Sequence, residues 1–177
     1  MKFVIKEAGS REFYDELLYV AAQRRNISKG KKLKQGTISG FYKKKLILGL
    51  FGMAFVAGSW LLFRDAVFVI LLIMMALLTG IVLYYLKTVS KSVDSLMDTS
   101  GERTVEIDAE GVKFTDESKS LDYRWDDIMK IVIGEHSVSF LPVKENEFVI
   151  ALESRYKDEI LSVLKENGLL DKTVGNI

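Results

Sequence analysis

The sequence predicts a membrane protein of the α+β class: a two-helix transmembrane hairpin joined to a small cytoplasmic antiparallel sheet that a C-terminal helix caps. Three observations predict it. Two apolar runs, 46–63 and 66–86, are separated only by Arg64 and Asp65 and hold no Asp, Glu, Lys, Arg, His, Asn or Gln. From Val105 onward apolar and polar residues alternate with period two, the pattern of half-buried strands. Last, Tyr156, Ile160, Val163 and Leu164 recur at helical spacing, with Ser154 placed to cap the helix and Asn167-Gly168 to stop it.

The hairpin comes first because it sets the orientation of the rest. At a rise of 1.5 Å per residue the two runs measure about 27 and 31 Å, close to a hydrocarbon core of roughly 30 Å. A soluble core helix of that length would carry a polar stripe, and a chain of 177 residues leaves only about 75 for a domain too polar to wrap the pair. Lys43, Lys44 and Lys45 precede the first run and Lys87 and Lys91 follow the second, so both termini are expected on the cytoplasmic side. Phe41, Tyr42, Tyr84 and Tyr85 mark the inner boundary, and Trp60 and Phe63 the outer turn. Ala54 with Gly58 and Ala76 with Gly80 form small-xxx-small pairs at matching depth, which predicts packing within the hairpin in preference to a contact between copies. Residues 1–45 contain no apolar segment of signal-peptide type, so the first span is expected to direct insertion itself.

Around the hairpin, charge is segregated although the net is only +1. Residues 1–45 hold 12 Lys/Arg against 4 Asp/Glu, a net of +8; residues 102–177 hold 10 against 17, a net of −7. The two portions are expected to attract in a salt-sensitive way. Residues 2–6 alternate as a short strand, which needs a sheet to satisfy its backbone and is expected at the edge of the C-terminal one. Ser10 reads as the N-cap of an amphipathic helix of about four turns, with Phe13, Tyr14, Leu17, Leu18 and Ala21 as its stripe and Asn26 near its end. From its last turn onward, Arg24, Arg25, Lys29, Lys31, Lys32, Lys34, Lys43, Lys44 and Lys45 form the strongest charge run in the chain, read as a cluster resting on an anionic inner leaflet. Nucleic acid is a poorer partner, since no base-reading module accompanies these residues.

After the second span, 87–101 reads as a polar extension of its helix, carrying Val89, Val93, Leu96 and Met97 at helical spacing and ending near Gly101. The domain at 102–177 then contains six strand signals, centred on 105–107, 112–114, 121–125, 131–133, 138–140 and 148–152. They imply one bent meander with a polar second face, closed by the terminal helix.

The order of a Glu110-Gly111 turn, a strand, then Tyr123, Trp125, Asp126 and Ile128 in a Tyr-x-Trp-Asp-x-Ile arrangement, a strand and a final helix resembles the C-terminal domain of the bacterial YcxB-like membrane proteins. The resemblance covers nearly the whole chain in layout and rests in residues mainly on 105–133. It implies two spans in a bacterial plasma membrane and a cytoplasmic domain like the pleckstrin-homology (PH) fold. The chain departs from the family before the last helix, where Val149-Ile150-Ala151-Leu152-Glu153 stands in place of an Ile-Pro-Lys-like segment. The family brings no established activity.

Catalytic signals are weak. His136 is the only histidine and falls in a predicted turn beside Glu135; Asp126 and Asp127 read as turn residues and Trp125 as core. No nucleophile elbow, zinc-protease motif or phosphate loop occurs, no cofactor is implied, and the absence of cysteine excludes disulfides and thiolate metal sites. The expectation is therefore a non-catalytic, membrane-anchored interaction or regulatory module of unknown protein partner. Self-association is one way for such a module to cover an exposed sheet edge, and a subunit of an oligomeric transport or pore assembly is the alternative function.

Overall fold

The computed structural model describes residues 1–5, 9–31, 36–98 and 102–175. The chain is α+β and divides into two compact units, Ile38–Asp94 and a second made of Met1–Thr37 with Ser95–Ile177.

The first unit is a helical hairpin of α2 (Ile38–Phe63) and α3 (Ala66–Met97), each long and apolar enough to cross a membrane. Arg64 adopts a left-handed φ of 50° at the turn, and Asp65 Oδ1 accepts from the Val67 amide at 2.9 Å, capping α3. On α3 the covered positions Phe68, Leu72, Met75, Thr79, Val82 and Leu86 recur at alternating spacings of four and three; Tyr42, Leu46, Gly49, Met53 and Val56 do so on α2. That is the 3.5-residue period of a coiled-coil-like seam. Side chains of α3 pack directly on Gly49 and Gly52, where an added Cβ would meet Thr79 Oγ1 at 2.8 Å and Met75 Cε at 2.2 Å. The expected packing through Ala54, Gly58, Ala76 and Gly80 is corrected here. All four are exposed, and a Cβ on Gly58 or Gly80 would meet nothing within 4 Å. The small-xxx-small spacing is present, but it lies off the seam that the larger residues choose.

In the second unit, six of the strands follow the predicted order: β2 (Arg103–Ile107), β3 (Gly111–Thr115), β4 (Ser120–Arg124), β5 (Ile128–Ile133), β6 (Ser137–Pro142) and β7 (Ile150–Glu153). They are shared between two sheets instead of one meander. N-terminal β1 (Lys2–Ile5) pairs antiparallel with β2, giving the order β1-β2-β3-β4, as the lone strand signal required. The other sheet has the order β7-β6-β5-β8, in which β8 (Thr173–Gly175) lies parallel to β5. A 3-10 turn at Trp125–Asp127 carries the chain from one sheet to the other, so the acidic pair does turn the chain.

The main core lies between the sheets. Val105, Ile107, Val112, Trp125, Ile131 and Phe140 fill it, and Ile160 and Leu164 close it from α4 (Lys157–Glu166). Trp125 Nε1 donates to the Asp108 carbonyl at 3.1 Å, which satisfies its one polar atom. Ser154 does not cap α4: it opens a separate 3-10 turn, Ser154–Tyr156, and no side chain caps the helix. Gly168, with φ 68°, ends it as expected.

The expectation of a polar second face fails at β5 and β6. Ser137 and Ser139 read as the polar half of an alternating strand, yet both are fully buried, on the same face as Leu141. Helix α1 (Arg11–Ser28) covers that face, packing Val20 and Ile27 against Val132 and Leu141. This second, smaller core is what fixes α1.

Candidate functional site

Helix α1 starts at Ser10, whose hydroxyl accepts from the Phe13 amide at 3.1 Å, and runs to Ser28, two residues past Asn26. Its covered residues are Phe13, Tyr14, Glu16, Val20, the half-buried Arg24 and Ile27; of the expected stripe, Phe13 and Tyr14 are buried, Leu17 and Leu18 are only partly covered and Ala21 is exposed. Two charged side chains thus sit on the covered face, eight residues apart, about 12 Å along the axis.

Each takes one end of β6. At the β5–β6 turn, Glu16 Oε1 accepts from the Glu135 amide at 2.9 Å and Oε2 from the His136 amide at 2.7 Å. Gly134 leaves room for this, since a Cβ there would stand 2.2 Å from Glu16 Oε1. At the other end, Arg24 Nη1 donates to the carbonyls of Glu145 and Glu147 at 3.0 Å each, and Nη2 donates to those of Pro142 and Lys144. A carboxylate on amides and a guanidinium on carbonyls satisfy the turn and the loop that flank a fully buried strand. The N-terminal segment therefore docks on the acidic domain through backbone groups as well as through charge pairs such as Lys2 with Glu106 at 2.8 Å.

The β6–β7 loop that Arg24 organises also carries exposed apolar side chains, Val143 and Phe148. Lys119 Nζ lies 4.4 Å from the Phe148 ring centre, and the Tyr123 hydroxyl donates to the Phe148 carbonyl at 3.1 Å. Burial raises the Tyr123 phenol, while the Glu147 carboxylate raises the Lys144 ammonium. In the neighbouring β3–β4 turn, the amide and hydroxyl of Ser118 and the Lys119 amide hold the Asp116 carboxyl below its usual range. Elsewhere on the unit an open cleft of about 590 Å³ is lined by Met1, Ile107, Asp108, Glu159, Val163 and Glu166; its three carboxylates outnumber the one Met1 α-ammonium, which donates to the Ile107 carbonyl, so the cleft is acidic on balance.

The residues of the basic run separate. Arg24 belongs to the α1 clasp and is not available as a lipid-facing charge. Arg25 is exposed on α1, Lys29 is its C-cap residue and Lys31 is exposed beyond it. Lys43, Lys44 and Lys45 are exposed on the first turns of α2. Lys32 and Lys34 lie outside the described residues. Beside the three lysines, Tyr42 and Tyr85 stack at 5.7 Å across the helix pair, and Lys45 Nζ stands 4.3 Å from the Phe41 ring centre.

Two residues that hold the clasp, Glu16 and Arg24, were not legible as such. The sequence assigns Arg24 to the basic run and gives Glu16 no distinct role, and the one available signal was the seven-residue spacing of Phe13, Val20 and Ile27. His136 contributes its backbone: its amide binds Glu16, and its carbonyl accepts from the Ser154 amide at 3.0 Å. Among the described residues, no group of three His, Asp or Glu side chains is placed to hold a metal ion. Compared with protein-family models, curated proteins and solved structures, the chain matches none.

Proposed function

We propose that this protein is a membrane-anchored cytoplasmic interaction or regulatory module, non-catalytic, with a two-span hairpin, both termini inside, and a PH-like domain of YcxB type in a bacterial plasma membrane. One observation carries the reading: α2 and α3 expose large apolar side chains on every side outside their shared seam, Phe51, Phe55, Leu62, Ile70 and Leu77 among them. Water does not tolerate such a surface, and lipid does. The lysines at one end and the neutral Arg64-Asp65 turn at the other support the orientation. Two sheets with a helix closing the core between them support the PH-like reading.

The mechanism is positional. Tethering raises the effective concentration of the domain for other proteins at the inner leaflet. Its acidic cleft and the β6–β7 loop with Val143 and Phe148 are the surfaces open to a partner. A domain of net −7 is repelled by anionic lipid, so the basic cluster, and not the domain, takes the membrane surface. Reporter fusions test the arrangement: activity of a cytoplasmic reporter at the C-terminus is expected, and a reporter active only outside the cell rejects it. Affinity capture from native membranes, with 102–177 present or deleted, then tests for a partner; ion flux in proteoliposomes would instead favour the pore assembly.

A further inference from the structure

Between α2 and α3, at the lysine end of the hairpin, runs a groove of about 230 Å³ lined by Leu48 and Gly49 of α2 and Leu78, Thr79 and Val82 of α3, with Lys45 at its mouth. Gly49 contributes no side chain to it, and Thr79 packs directly on that glycine. Thr79 adds no free donor, because its hydroxyl donates to the Met75 carbonyl of its own helix at 2.8 Å. Apart from Lys45 the groove is therefore apolar. The stem of Lys45 lines it while the ammonium turns back over the Phe41 ring at 4.3 Å, leaving one cation beside an aromatic face where the groove opens. The unit has two carboxylates, and both are distant: Asp65 lies about 30 Å along α2 from Lys45, and Asp94 about 18 Å along α3 from Val82.

A cation and an aromatic ring at the mouth, with hydrocarbon-lined depth behind them, complement an amphiphile with an anionic head. We propose that this groove seats one anionic phospholipid of the inner leaflet, its phosphate on Lys45 and one acyl chain along Leu48, Leu78 and Val82. The inference rests on the membrane reading above. A second copy is a poorer occupant, because a parallel neighbour would bring Lys43, Lys44 and Lys45 against their own like charges. The apolar groove at the opposite end, lined by Ala57, Trp60, Phe68, Val69 and Leu72, has no charged residue in its lining and lacks this complementarity.

Native mass spectrometry of the full chain, released from vesicles of equal parts phosphatidylglycerol and phosphatidylcholine, tests the seat. One retained phosphatidylglycerol per chain is expected. Lys45→Gln should reduce retention about five- to tenfold, as should Leu78→Trp, which fills the groove from an exposed rim position. Lys87→Gln removes the same charge from the same end without lining the groove and should leave retention unchanged; all three variants should keep the helical content of the parent. Equal loss in Lys87→Gln and Lys45→Gln, undiminished retention in Leu78→Trp, equal retention of phosphatidylcholine, or a retained second chain in place of lipid would each overturn the seat. A chain that never enters the vesicles would overturn the membrane reading itself.

Discussion

On α1 two charged side chains lie on the covered face, Glu16 at 4% exposure and Arg24 half-buried, whereas on α2 and α3 Phe55 and Leu62 stand 76% and 80% exposed. Both arrangements invert the usual burial order, and each has its own remedy. Glu16 and Arg24 are stable under α1 because a turn with two unpaired amides and a loop with four convergent carbonyls meet them there. The exposed side chains of the hairpin turn most of their apolar surface away from protein, so their remedy has to come from the surrounding medium. Burial of a charge is thus a statement about local backbone partners, and exposure of a long apolar helix is a statement about solvent.

The strongest way to break this contrast is to place a charge on the hairpin. Leu77→Arg, at a 65% exposed position in the middle of the 66–86 run, should cost about 3 kcal/mol of insertion and lower the carbonate-resistant membrane fraction. On a soluble protein the same change would be neutral within about 0.5 kcal/mol and would aid solubility. Removing the charge from the other side of the comparison is the next largest step. Glu16→Ala strands the Glu135 and His136 amides and should cost about 2 kcal/mol, read as faster hydrogen exchange at those two amides, with Glu16→Gln recovering part of it. A smaller contrast separates the glycines: Gly49→Leu meets Thr79 and should destabilise the helix pair by about 1–2 kcal/mol, while Gly58→Leu faces open space and should change pairing little, read by crosslinking between the helices. The smallest effect is acid sensitivity of the β3–β4 turn. The folded Asp116 carboxyl titrates below its unfolded value, so its contribution is fully present above about pH 4 and is lost as pH falls through the lowered folded value. Asp116→Asn should remove that part of the acid limb, and an NMR titration of the Ser118 amide checks it.

Period and composition made much of the architecture legible before any coordinates. The two apolar runs, the six strand signals from Val105 to Leu152, the Ala109–Gly111 turn and the final helix stripe all recur in the structure. What escaped notice did so for a common reason: its meaning depends on a distant partner. Ser137 and Ser139 alternate with Val138 and Phe140 as a solvated face would, and only α1 lying over them makes them interior. β8 is three residues with no period of its own; it forms because the Leu170–Lys172 turn returns the chain to β5, where Lys172 donates to the carbonyls of Trp125 and Ile128. Ala54 and Gly58 have spacing suited to helix contact, but Gly49 lies on the 3.5-residue seam, and Gly52, beside it, is the one that Met75 packs against.

Read by itself, the amino-acid order determined the local events here: which segments are helix or strand, where the chain turns, and where charge is excluded for long enough to span about 30 Å, because each depends on side chains within a few residues of one another. Tertiary structure alone decided the division of the strands into two sheets, the face of α1 that is covered, and the roles of Glu16 and Arg24. Those outcomes turn on backbone groups about 120 residues away in the chain, whose unmet hydrogen bonds leave no mark on the sequence near the residue that satisfies them.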